Sequence, residues 1–196
     1  MQQSDFIRMV RNDLAERDCS LVVGRGKQLN CDGFRVDGYF SESAREIRVA
    51  RGCPQWLGTL AHEYAHFRQW VEKDRAYLRS GSALQMIDSW FAGKEYAERD
   101  LTKAFRIVRT MERDAERRSV ELITRYSLPV NLDLYIKRAN CYIYAHFIME
   151  RHRKFWAFKR DPFYSRKVLA IMPNDFRRRS HQTLPPEIDT VLESLV

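Results

Sequence analysis

Two histidines stand four residues apart in the stretch WLGTLAHEYAHFRQW, with a glutamate directly after the first: His62-Glu63-Tyr64-Ala65-His66. On an α-helix, residues i and i+4 share a face one turn apart, so both imidazoles can aim at one point. Zinc accepts neutral imidazole nitrogens at about 2.0–2.1 Å, and a catalytic zinc takes three protein ligands, leaving its fourth position to water. Glu63 is rotated off the axis of the two histidines. It is close enough to take a proton from a metal-activated water and pass it to a leaving amine, as general base and then general acid. The pattern is His-Glu-x-x-His, and the chemistry it points to is peptide-bond hydrolysis.

The third ligand must come from another element. In YAERDLTKAFRIVRTMERDAERRSVELITRYS, helical periodicity gathers Val108, Met111, Ala115, Ser119, Leu122, Ile123 and Tyr126 into one sector. Glu112 and Glu116 fall inside that sector or on its flank, while Arg109, Arg113, Arg117 and Arg125 spread around the rest. A carboxylate on a buried face is costly unless it is paired or binds a metal. Either glutamate suits the third ligand position. Glu112 is preferred, with Glu116 behind it as acceptor for the second ring N–H of a histidine; the competing reading is solvated ion pairs with arginines one turn away.

A developing oxyanion needs a donor. In LDLYIKRANCYIYAHFIMERHRKF, Tyr142 and His146 share a stripe with Tyr135, Ala139 and Met149, which makes them candidates for that role or, alternatively, core aromatics with satisfied polar tips. Cys53, just ahead of the motif, suits a thiolate ligand or a buried helix-start cysteine.

The elements that must position these groups are readable from period and turn signals. Ser4 reads as the N-cap of a first helix carrying Phe6, Ile7, Val10 and Leu14. SLVV, GFRVDGYF and REIRVA read as short strands, the last able to offer an edge to an extended peptide. Leu57, Leu60, Tyr64, Phe67 and Val71 then form a helical stripe with Pro54 near its start. RAYLRSGSALQMIDSWFAGKEY reads as a loop with a short helix, and PEIDTVLESLV as a closing helix. The expected fold is α+β and predominantly helical: a small, mostly antiparallel sheet packed on the histidine-bearing helix and two further long helices, in one domain over residues 1–196.

The combined residues resemble the zincin metallopeptidases, and within them the Glu-zincin branch, in which a glutamate on a downstream helix completes the zinc site and an acidic residue four places on supports a histidine. ERDAERRSVELI is similar to the corresponding helix of ImmA/IrrE-like peptidases, with Ser119 in place of a second small residue. The three helical stretches together also resemble small metallopeptidase-like proteins encoded in bacteriophage genomes. The resemblance implies zinc as cofactor, His62, His66 and Glu112 as ligands, and a protein or peptide substrate.

The 196-residue chain has 44% hydrophobic and 31% charged residues and a formal charge of +8. Residues 151–179 hold ten Lys/Arg against two Asp, which accounts for the whole excess. Basic and aromatic residues mixed in RHRKFWAFKRDPFYSRK, followed by Arg177, Arg178 and Arg179, would suit nucleic acid or an acidic protein. A nucleic-acid-associated or virion-assembly protein with a structural or vestigial zinc site is therefore the competing function. No window has the apolar length to span a bilayer, and four scattered cysteines without a paired motif suggest an intracellular, cytoplasmic or virus-associated setting.

Overall fold

A computed structural model describes residues 3–31, 34–155, 158–176 and 181–196. They form an α+β structure that divides into two compact units, one of Met1–Asp74 with Ala115–Leu132 and one of Arg75–Asp114 with Asp133–Val196.

The first unit opens with α1 (Gln3–Ala15), whose Phe6, Val10 and Leu14 are buried at the i, i+4, i+8 positions of one face. Ser4 lies inside its first turn rather than ahead of it. The strands are β1 (Ser20–Gly24), β2 (Leu29–Cys31), β3 (Phe34–Val36), β4 (Gly38–Ser41) and β5 (Glu46–Ala50). Three form a sheet in the order β1-β5-β4, and β2 and β3 pair separately as an antiparallel hairpin.

The three-stranded sheet is mixed, which corrects the expectation of a mostly antiparallel one. A four-residue turn makes β4 and β5 antiparallel, whereas β1 lies parallel on the other side of β5. That pairing needs a crossover of a dozen or more residues, and the segment containing β2, β3 and β4 supplies it. REIRVA is therefore the central strand, hydrogen-bonded on both sides. It cannot offer the edge proposed for it; the outer edge next to it belongs to β4.

α2 (Trp56–Val71) packs on β4 and β5. Its Leu60, Ala61, Ala65 and Phe67 are at most 1% exposed, as are Ile47, Val49 and Ala50 of β5. Phe40 of β4 meets Phe67 and Trp70 with ring centroids 5.8 Å apart in each case. Away from the sheet, the Tyr64 hydroxyl donates to Asp13 of α1, and Arg68 Nη1 reaches the same carboxylate at 2.8 Å. Burial, aided by that carboxylate, pushes the Tyr64 hydroxyl above its ordinary pKa of 10.

The second unit contains α3 (Arg75–Phe91), the start of α4 (Glu98–Arg125), α5 (Leu132–His152), a 3-10 turn at Pro162–Tyr164, α6 (Arg166–Ile171) and α7 (Pro186–Glu193). α3 is a 17-residue helix where a loop with a short helix was expected. Ser80, Ala83, Ile87 and Trp90 keep one buried face, and this outweighs the helix-weakening Gly81. Trp90 meets Phe105 edge-on at 6.1 Å, within a core that also holds Tyr144, Ile148, Ile188 and Leu192. Among the described residues, no helix is long and apolar enough to cross a membrane.

Two glycines test this packing in opposite directions. A Cβ on Gly38 would lie 2.6 Å from Thr59 Cγ2 and 2.9 Å from the Arg48 carbonyl oxygen. Gly38→Ala is expected to cost about 1–3 kcal/mol by forcing β4 away from β5 and α2. A Cβ on Gly81 meets nothing within 4 Å. Gly81→Ala should therefore stabilise by about 0.5–1 kcal/mol through helix propensity alone. Urea denaturation midpoints of the two variants, moving in opposite senses, check both.

Candidate metal centre

α2 is buried on most of its circumference, and its histidines occupy a face where His62 keeps 17% side-chain exposure. The two rings stand nearly perpendicular with centroids 4.5 Å apart, and their Nε2 atoms are 3.0 Å from each other. The Nδ1 atoms point elsewhere. His66 Nδ1 is 2.9 Å from Gln69 Oε1, and His62 Nδ1 is 3.2 Å from Glu116 Oε1.

The Gln69 amide oxygen only accepts, so His66 Nδ1 carries the N–H and its Nε2 presents a lone pair, whereas His62 Nδ1 meets the Glu116 carboxylate as a charge contact without hydrogen-bond alignment. Two ring nitrogens at this distance come together favourably when a proton or a metal cation lies between them. Two imidazole nitrogens on one tetrahedral ion with bonds of 2.0–2.1 Å would be about 3.3 Å apart, close to the separation seen.

Both candidate glutamates are buried, each 7% exposed, with Ala115 and Ser119 between and beyond them at 0%. They stand one turn apart on α4, which runs unbroken from Glu98 to Arg125. The geometry divides their roles. His62, His66 and Glu112 each offer a ligand atom, all within 4.8 Å of one another, and the three could hold a metal ion. Glu116 backs His62 from the Nδ1 side. Glu63, next to the first ligand, is buried at 8% exposure.

Gln69 is the residue that sequence reasoning missed. It is fully buried and reaches back one turn to orient His66. Its position at i+3 from the second histidine was the available signal.

The second unit places His146 and Tyr142 together on α5. His146 donates Nδ1–H to the Tyr142 carbonyl at 3.1 Å, and the two rings are 4.9 Å apart. Burial pushes the His146 imidazole below its ordinary pKa against the opposing pull of the Glu112 carboxylate, so the ring is neutral at pH 7. Arg109, which periodicity put outside the buried sector, is only 2% exposed. Its guanidinium lies 3.8 Å over the Phe147 ring and pairs with Glu150 at 3.2 Å, so its charge is compensated inside the unit. Cys53 is not in the metal group: its thiol is 3.3 Å from Asp37 Oδ2.

Arg177, Arg178 and Arg179 lie outside the described residues. Upstream, part of the basic segment is already engaged. Arg151 pairs with Asp189 and Glu193, His152 with Glu193, and Arg153 with Glu95.

No protein-family model, no curated protein and no solved structure matches this chain. The functional reading therefore rests on the geometry of these residues.

Replacing Gln69 with the similarly sized Leu removes the acceptor for His66 Nδ1–H while leaving the core filled. Affinity for a divalent metal ion, measured with zinc as the probe by competition with a chromogenic chelator, is expected to fall about 10–100-fold, with the far-UV circular dichroism unchanged. Equal affinities would remove Gln69 from the site.

Proposed function

We propose that this chain is a zinc-dependent peptidase of the zincin type, with Glu112 as its glutamate ligand. The observation that carries the reading is the convergence of the His62 and His66 Nε2 atoms at 3.0 Å, with Glu112 offering a third ligand atom within 4.8 Å. The donor set fits the ion: two neutral imidazoles and a carboxylate are the ligand types of catalytic zinc sites. Bound there, zinc would supply Lewis acidity, bringing the pKa of water near 7 and polarising a carbonyl.

The remaining work falls to the chain's own groups. Glu63 follows His62 directly, and its carboxylate takes the proton from the attacking water and returns it to the departing amine. A structural metal site has no use for such a base, and this favours hydrolysis over a purely structural role. Gln69 keeps the His66 proton on Nδ1, and the Glu116 carboxylate lies against the Nδ1 side of His62. Neutral His146 carries its proton on Nδ1, so its Nε2 accepts rather than donates, and the Tyr142 hydroxyl beside it is the donor available to developing negative charge. The outer edge of β4 has no strand partner among the described residues. An extended peptide added there would gain main-chain hydrogen bonds without ordering a new surface. α2 lying on a sheet whose edge strand is antiparallel to its neighbour supports zincin-like packing.

The decisive measurement is metal content by plasma mass spectrometry, expected at about one zinc per chain. His62→Ala and Glu112→Gln should lose it. Glu63→Gln should retain it while cleavage of an unbiased peptide library falls by about 10²–10⁴-fold. A native chain that holds no zinc and takes none up overturns the reading. A Glu63→Gln variant that cleaves like wild type removes Glu63 from the chemistry.

A further inference from the structure

The second unit has a groove of about 630 Å³ that the peptidase chemistry does not use. It is lined by Arg75, Ala76 and Arg79 of α3, by Arg106, Ile107 and Thr110 of α4, and by Gln182. Three exposed guanidiniums from two helices share it with no acidic side chain in the lining. Arg75 and Arg79 are one turn apart, a like-charge spacing that costs a helix a few tenths of a kcal/mol.

None of the three guanidiniums has an ion-pair or hydrogen-bond partner among the described residues. Arg68, Arg109, Arg118, Arg151 and Arg153, by contrast, each meet a carboxylate. A cluster of like charges left uncompensated within the chain is matched to an anion from outside. The Thr110 hydroxyl already donates to the Arg106 carbonyl at 2.8 Å, so recognition falls to the arginines. Guanidinium groups bind phosphate oxygens in bidentate fashion and stay charged at any working pH.

We propose that this groove binds the phosphate backbone of a nucleic-acid strand through Arg75, Arg79 and Arg106. The groove is open rather than enclosed, and it spans two helices, which suits a polymer passing through better than one small anion. Its lining includes no aromatic ring on which a base could stack, so binding is independent of sequence. The chain's formal charge of +8 adds long-range attraction for a polyanion. This places a nucleic-acid contact on α3 and α4, separate from the basic segment in which Arg151 and Arg153 are paired.

Fluorescence anisotropy with a labelled 20-nucleotide single strand of mixed sequence, over 50–200 mM NaCl, tests the assignment. Wild type should bind with a log–log salt slope that includes about 0.7 per phosphate contact. In Arg75→Gln/Arg79→Gln/Arg106→Gln the slope should be shallower by about 2, with affinity at 50 mM NaCl reduced at least about tenfold. Arg75→Lys/Arg79→Lys/Arg106→Lys keeps the charge and should keep most of the slope, which separates lost binding from lost folding. No binding by wild type, or an unchanged slope in the Gln variant, overturns the proposal. So does displacement of the strand by inorganic phosphate or by poly-glutamate of equal charge as readily as by an unlabelled strand. Metal content is read in parallel and should be equal in all three proteins, because none of the arginines touches the metal group.

Discussion

Two imidazole Nε2 atoms directed at each other across 3.0 Å impose the constraint on which the rest of the centre depends. Such an approach is favourable when a proton or a metal cation lies between the nitrogens. The ring of His66 is held from behind by a hydrogen bond to the Gln69 amide, and that of His62 lies 3.2 Å from the Glu116 carboxylate. These groups thus do more than orient side chains. They keep both Nε2 atoms aimed at one point, beside the Glu112 carboxylate.

The helix carrying this pair is anchored by two different means. Toward the sheet, Phe67 and Trp70 meet Phe40 of β4 through aromatic contact. Toward α1, Tyr64 and Arg68 converge on Asp13 through hydrogen bonds and charge. Apolar packing sets how close the helix lies to the sheet, and the directional polar contacts fix its rotation about its own axis. That rotation decides where the histidines aim. Tyr64, inside the five-residue motif itself, serves the rotation while its neighbours face the other way.

What was legible in the sequence follows from how local each cause is. The histidine pair and the buried carboxylates of α4 depend only on helical period, and the structure places His62, His66 and Glu112 within reach of one ion. Gln69 escaped because a buried amide has no distinctive residue pattern; only its offset from His66 marks it. Arg109 was misplaced because its charge counted as a surface signal, while its stem and guanidinium lie against Phe147 and Glu150. α3 was read as a loop with a short helix, its middle being Ser-Gly-Ser, yet its buried face at Ala83, Ile87 and Trp90 extends the helix over 17 residues. The parallel pairing of β1 with β5 joins residues about 26 positions apart, and no local pattern encodes it.

Glu112 and Glu116 share one uninterrupted helix, so their separation is counted in residues. A single inserted or deleted residue between them would swing one carboxylate by about 100° and shift it about 1.5 Å along the axis. Ligand and backing group would then face different sides of α4. The interval of four is therefore a stricter geometric requirement of the centre than the identity of the residues inside it.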